Sequence, residues 1–225
     1  LSYLIRKAES KSPKLLRPRV IVGVPSGITN VEHRAVYDAA HNAGAREVYI
    51  IEEPMAAAIG LGLPVLGPVG CMVIDIGGGT TDVAVISLGG IVTSTSVKCA
   101  GDRIDRAVID YIKKAHNLAI GDRTAERIKM EIGSALKVVE SKELRIKISG
   151  RDYISGLPRT IEIGTNEIVE AISRELKEMT QAIKDVLAET PPELASDIID
   201  RGIMMTGGTA QLRNLTKLVE KATGV

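Results

Sequence analysis

Short apolar runs and glycine pairs give the stretch from 72 to 97 a strand-like pattern throughout. Met72, Val73, Ile74 and Ile76 form one run, Val83 to Ile86 a second and Ile91 to Val97 a third. Gly77-Gly78-Gly79 separates the first two runs and Gly89-Gly90 the last two. The pattern predicts antiparallel strands, with Asp75 on one limb of the first hairpin and Asp82 on the other. Three successive glycines can adopt backbone angles closed to other residues, so a tight turn is expected there.

Upstream, residues 1–9 read as the end of a helix with Tyr3, Leu4 and Ala8 on one face. A strand follows at 19–25. Thr29 and Glu32 have the spacing of a capping box. The helix they open reaches Ala43, with Val31, Ala35, Val36, Ala39, Ala40 and Ala43 inward, and Gly44 closes it. Another strand spans 48–51. Glu52, Glu53 and Pro54 then open a helix whose Ala56-Ala57-Ala58 allows close packing. The Gly- and Pro-rich stretch from Gly62 to Gly70 reads as a linker.

Downstream, Gly101-Asp102 opens a capped helix with Ile104, Ala107, Val108, Tyr111 and Ile112 inward. Residues 117–165 read as a smaller inserted unit. In it, a helix from about Thr124 carries the stripe Ile128, Ile132, Ala135, Leu136 and Val139, and two alternating segments predict a hairpin. Glu126, Lys129 and Gly133 share a second face: either a surface salt bridge, or a face that Gly133 leaves bare for something flat. One long helix is expected from about Asn166, with Ile168, Ile172, Leu176, Met179, Ile183 and Leu187 inward, stopping before Pro191-Pro192. A buried strand over 202–206 and a Gly207-Gly208 turn into a final helix complete the reading.

Size and composition narrow the possibilities. The chain has 225 residues, 44% of them hydrophobic and 25% charged, and a formal net charge of +1. That balance gives no bulk attraction to nucleic acid. Phe and Trp are absent, so the core is built from Ile, Val, Leu, Ala and Met. Cys71 and Cys99 stand alone in strand-like contexts and read as buried free thiols, which suits a reducing cytosol. No apolar run approaches the ~20 residues of a membrane-spanning helix. The chain begins at Leu1 inside a helical pattern and is expected to be a piece of a longer one. Between Arg6 and Arg19 it is strongly basic around Leu15-Leu16, which reads either as a loop suited to an anionic membrane surface or as an ordinary solvated loop.

The candidate chemistry lies in the glycine turns. Successive glycines present bare N–H groups that can cradle phosphate, and the threonine hydroxyls add donors. Asp75 cannot bind phosphate directly but can hold hydrated Mg²⁺. A P-loop is excluded because no lysine follows the glycines, and a dinucleotide fingerprint because the following segment is strand-like. An ordinary glycine-rich hairpin is the other reading. Gly207-Gly208-Thr209-Ala210, after its own strand, suits a phosphate or a close-lying adenosine. Together the two turns are expected to form two walls of one cleft. Glu52 and Glu53 lie where a strand ends and a helix begins, a common place for α/β chemistry.

The segments VIDIGGGTTDVAVI (73–86) and GIMMTGGTAQL (202–212) resemble the second phosphate motif and the adenosine motif of the actin, sugar-kinase and heat-shock ATPase superfamily. GVPSGITNVEHRAV (23–36), IEEPMAAAIG (51–60), TAERIKMEIGSA (124–135) and TPPELASDIIDRGIMMTGG (190–208) together resemble the bacterial MreB family of actin-like rod-shape proteins. The resemblance runs along nearly the whole chain. It implies an α/β actin-like ATPase fold of two lobes, each with a mixed sheet and flanking helices, around a nucleotide cleft. Residues 1–68 would be the remainder of the first lobe, and 69–225 the second lobe with its insertion.

The resemblance further implies ATP and Mg²⁺ as ligands, slow hydrolysis and polymerisation under the inner membrane. Its partners would be further copies of itself, the membrane surface, and proteins of cell-wall synthesis and membrane shape. Gly77, Gly78, Gly79 and Thr80 match phosphate-binding positions. Glu126, Arg127, Ile128 and Lys129 match the ribose and base segment, and Gly207, Gly208, Thr209 and Ala210 the adenosine turn. Glu53 matches the residue that orients the attacking water, assisted by Thr80, and Asp75 the magnesium-side carboxylate. Leu15 and Leu16 fall where the family carries a membrane-inserting loop. The family's first phosphate motif is not among these residues, so they alone are expected to hydrolyse ATP weakly or not at all. A heat-shock-type chaperone ATPase and a small-molecule kinase are the alternatives within the superfamily.

Overall fold

The computed structural model describes residues 2–9 and 17–225, so Leu15 and Leu16 lie outside the described residues. The elements in order are α1 (Ser2–Glu9), β1 (Arg19–Val24), α2 (Asn30–Asn42), β2 (Glu47–Glu52), α3 (Glu53–Gly60), β3 (Cys71–Ile76), β4 (Thr81–Ser87), β5 (Gly90–Val97), α4 (Gly101–His116), β6 (Leu118–Ala119), α5 (Asp122–Ile132), β7 (Arg145–Asp152), β8 (Pro158–Gly164), α6 (Thr165–Ala171), α7 (Ser173–Glu189), α8 (Pro192–Arg201), β9 (Ile203–Thr206) and α9 (Leu215–Thr223).

Strands β1 and β2 pair in parallel, joined through α2. The capping box forms: the Glu32 amide donates to Thr29 Oγ1 at 3.2 Å, and the Thr29 amide to Glu32 Oε2 at 2.8 Å. The expected inward face of α2 is not formed. Ala40 is buried, whereas Val31, Ala35 and Ala39 are exposed. Tyr3 and Leu4 are likewise exposed on α1.

The 62–70 stretch is not a free linker. Its carbonyls at Val65 and Gly67 accept from the Gly89 and Leu88 amides, and the Gly70 amide donates to Asp197 Oδ2 at 2.8 Å. Val65 joins Ala58, Val73, Ala84 and Ile86 in a small apolar cluster on one face of the main sheet.

That sheet has the order β5-β4-β3-β9, with β9 parallel to β3 and the other pairs antiparallel. Its two central strands are buried on both faces, which is why their sequences run apolar without alternation. Met72, Ile74, Ile76, Val83 and Val85 point to the larger cluster, beneath α4 and α7. Strand β9 is an edge strand and only partly covered, with Met204 exposed; the expectation of a buried strand there is corrected. Both cysteines are buried and free, and burial pushes the Cys99 thiol up to about 11.

A second sheet, β6-β7-β8, lies between 118 and 164 and packs against α5. Two helix expectations change. Helix α5 stops at Ile132 rather than running to Val139, which is exposed. There Gly133 turns the chain out, and Ser134 pairs with Arg213 while the Ala135 amide donates to the Arg213 carbonyl at 2.7 Å. The long helix after 165 is two helices that meet at Ile172, although its apolar stripe stays buried across the break. The second of them ends at Glu189, before Pro191-Pro192 as expected, and Pro192 then begins α8, where a proline in the first turn lacks only an amide that has no helical partner.

Candidate functional site

Strands β3 and β9 are parallel neighbours with Asp75 opposite Thr206, so their C-terminal ends bring both glycine turns side by side. They are not opposite walls of a gap: Thr209 Oγ1 donates to the Gly77 carbonyl at 2.8 Å. The facing wall is α5. Together they enclose a cleft of about 520 Å³, within the size range of small-molecule sites.

The first turn is held by its carbonyls. Gly77 O also accepts from the Gly101 amide at 3.2 Å, and Gly78 O from the Asp102 amide at 2.8 Å. Helix α4 is thus capped by the turn rather than by a side chain. The amides of Gly78, Gly79 and Thr80 have no hydrogen-bond partner among the described residues. Gly78 and Gly79 are exposed at the mouth of the cleft. Three successive free amides on a tied-down loop form an anion nest. None of the three glycines has a left-handed φ, so the expected backbone reason for them is corrected. What they supply is space: a Cβ on Gly78 would stand 3.2 Å from Asp102 Oδ1.

Gly207 does need the left-handed region, at φ +91°, and a Cβ there would overlap the Ile76 carbonyl and sit 2.7 Å from Asp75 Oδ1. The second turn leads into a single 3₁₀ turn, Thr209–Gln211. Helix α9 starts only after Asn214, so its N-terminal amides do not lie at the Gly-Gly pair as expected.

Beside the nest lies an acidic group. Asp75 pairs in register with Asp82, which is 1% exposed and has Oδ1 without a partner. Glu53 opens α3 at the end of β2, and Gly23 on β1 admits it: a Cβ there would lie 3.3 Å from Glu53 Cγ. Burial, then the charges of Asp82 and Asp75, raise the Glu53 carboxyl above its ordinary range; burial and Asp82 raise Asp75. Mutually repelling oxygen donors with one buried oxygen unpaired suit a hard divalent cation. No three such side chains among the described residues form a complete metal cage. The set therefore fits Mg²⁺ that keeps water and takes phosphate oxygens.

Of the expected site residues, Gly77, Gly78, Glu126, Lys129, Gly208 and Thr209 line the cleft. Gly79, Thr80, Gly207 and Ala210 flank it in sequence without lining it. Arg127 is exposed and does not line it either. Ile128 is fully buried in the main core, so its side chain does not reach the cleft; on a helix it faces away from Lys129's side. Gly133 is not a bare platform, since Leu212 Cδ1 would lie 2.9 Å from a Cβ there. Lys129 does not pair with Glu126. Its Nζ donates to Asp105 Oδ2 at 2.8 Å and to Gly101 O at 3.3 Å. Asp102, Asp105, Met130, Gln211, Leu212 and Arg213 line the cleft unannounced. The i,i+3 spacing of Asp102 and Asp105 at a helix start was the available signal for two of them.

A family model described as MreB/Mbl protein matches residues 1–225. The chain belongs to the MreB/Mbl family. It is 51% identical over 225 residues to the cell shape-determining protein MreB of Escherichia coli (strain K12), covering all of this chain and 64% of that protein. It is 47% identical over 219 residues to the cell shape-determining protein Mbl of Bacillus subtilis (strain 168), covering 97% of this chain and 65% of that one. The chain thus spans just under two thirds of the length of these MreB/Mbl relatives. A crystal structure of MreB 5 of Spiroplasma citri bound to AMPPNP superposes with a TM-score of 0.92 at 38% identity, covering 100% of this chain and 68% of that one. A MamK double helical filament, at a TM-score of 0.80, 20% identity and coverage of 98% and 64%, shares the fold alone. The MreB/Mbl chain has the actin-like fold expected from its motifs.

Proposed function

We propose that the full-length protein binds Mg-ATP in this cleft, hydrolyses it slowly and polymerises into membrane-associated filaments that help determine bacterial cell shape. The observation that carries the reading is the row of free amides at Gly78, Gly79 and Thr80 beside the carboxylates of Asp75 and Asp82. The AMPPNP- and ADP-bound Spiroplasma MreB5 structures and the cell shape-determining E. coli and B. subtilis relatives support it. The whole-chain family match favours it over a chaperone or a small-molecule kinase.

In this reading the Gly77–Thr80 turn binds the phosphates and the 207–210 turn lies against the adenosine. Glu126 and Lys129 contact ribose and base, while Arg127 and Ile128 contribute backbone. Asp75 holds the cation, with Asp82 behind it. Bound Mg²⁺ would neutralise charge on the phosphate oxygens. Glu53, its carboxyl raised above its ordinary range by burial and the neighbouring Asp82 and Asp75, orients the attacking water, with Thr80 assisting. Residues 69–225 form the second lobe and 1–68 part of the first. No described helix is long and apolar enough to cross a membrane; attachment at the inner face of the plasma membrane is assigned to Leu15-Leu16. Further partners are proteins of cell-wall synthesis and membrane shape.

Sedimentation tests this. Full-length protein is expected to pellet with ATP and Mg²⁺, and to co-sediment with anionic liposomes unless Leu15 and Leu16 are both replaced by serine. Protein that binds ATP yet stays in the supernatant under every condition contradicts the filament role.

A further inference from the structure

We propose that Asp105 is a positioning residue that fixes the Lys129 ammonium in the cleft; this rests on the nucleotide reading above. Asp105 lies in the first turns of α4 and Lys129 near the end of α5, on opposite sides of the α4–α5 packing. Their side chains are 15% and 14% exposed, and no other ion pair among the described residues is as enclosed on both sides. Lys129 Nζ also reaches Gly101 O, one peptide from the amide that binds the Gly77 carbonyl. A Cβ on Gly101 would stand 3.3 Å from that Nζ and 2.7 Å from Thr209 Oγ1. The ammonium is therefore seated where α4, the phosphate turn and the adenosine turn converge.

A lysine has a long flexible stem and a point charge, and it takes whichever anion is nearest. Glu126 stands three residues back on the same helix, close enough to pair. Such a pair would tie to each other the two side chains assigned to ribose and base. Asp105 prevents it by holding Lys129 on the other side. Stability alone is a poor account of the pair: its second oxygen, Asp105 Oδ1, is buried without a partner, and incompletely satisfied buried ion pairs are weak stabilisers.

The test uses full-length protein and a fluorescent, non-hydrolysable ATP analogue with Mg²⁺. Asp105→Asn is expected to weaken binding about tenfold, the scale of one charge-assisted hydrogen bond. Lys129→Met should weaken it at least as much, and the double variant no more than Lys129→Met alone. The exchanged pair Asp105→Lys with Lys129→Asp keeps opposite charges in contact, so a melting temperature near that of the unaltered protein is expected, but with binding as weak as in Lys129→Met. If Asp105→Asn fails to fold, Asp105→Glu, which displaces the charge by one methylene, is read in the same way. Full affinity in the exchanged pair, or independent losses in the double variant, overturns the positioning role. Unchanged affinity in Lys129→Met overturns the nucleotide reading of this wall itself.

Discussion

Exchanging Glu53 for glutamine in the full-length protein is expected to slow turnover of bound ATP by about 10²- to 10⁴-fold, the range for loss of a positioned general base. Nucleotide affinity should stay within about threefold, because phosphate is held by the Gly78–Thr80 amides rather than by Glu53. The same variant should be more stable than the unaltered protein when metal and nucleotide are absent. Burial and the neighbouring Asp82 and Asp75 raise the Glu53 carboxyl in the folded state. A carboxyl whose folded value lies above its unfolded value favours folding only while protonated. Its contribution is complete below the ordinary value of 4.5 and is lost as pH rises through the raised one. Melting curves from pH 4 to 8 should therefore converge at the acid end and separate towards neutrality, with Glu53→Gln the higher. Collapsed affinity with normal turnover per bound ATP would assign Glu53 to binding instead.

The largest structural effect is expected at Gly207. Alanine there would occupy a left-handed φ of +91° and drive its Cβ into the Ile76 carbonyl and towards Asp75 Oδ1. Backbone strain and overpacking of this kind together cost roughly 2–5 kcal/mol, measurable by denaturant unfolding. Nucleotide affinity should fall with it, since Asp75 must move. Gly79→Ala is the contrast. Its Cβ meets nothing within 4 Å and no left-handed angle is required. It should unfold like the unaltered protein yet bind ATP more weakly, because the methyl group intrudes on the nest. Equal stability losses in the two variants would contradict this division between structural and ligand-facing glycines.

Much of the fold was legible because the strongest signals are local. The β3–β4 hairpin, the Thr29–Glu32 box and the stripes of α4 and α7 each follow from periodicity within one segment. What the periodicity hid was tertiary. The apolar positions 128–139 look like one helix, but Gly133 is needed for close contact with Leu212, and the chain leaves the helix to pair with Arg213. The site divides in the same way. The glycine turns were visible as motifs, whereas the Asp105–Lys129 wall arises only when α4 packs on α5. Ile128 shared a motif with Lys129, but on a helix adjacent residues point in different directions, one to the core and one to the cleft.

The most direct measurement is a crystal structure of the full-length protein with Mg²⁺ and a non-hydrolysable ATP analogue. Phosphate density within hydrogen-bonding distance of the Gly78, Gly79 and Thr80 amides, with the sugar and base between α5 and the 207–212 turn, is the predicted result. Nucleotide seated elsewhere, with those three amides bonded to water, would contradict it.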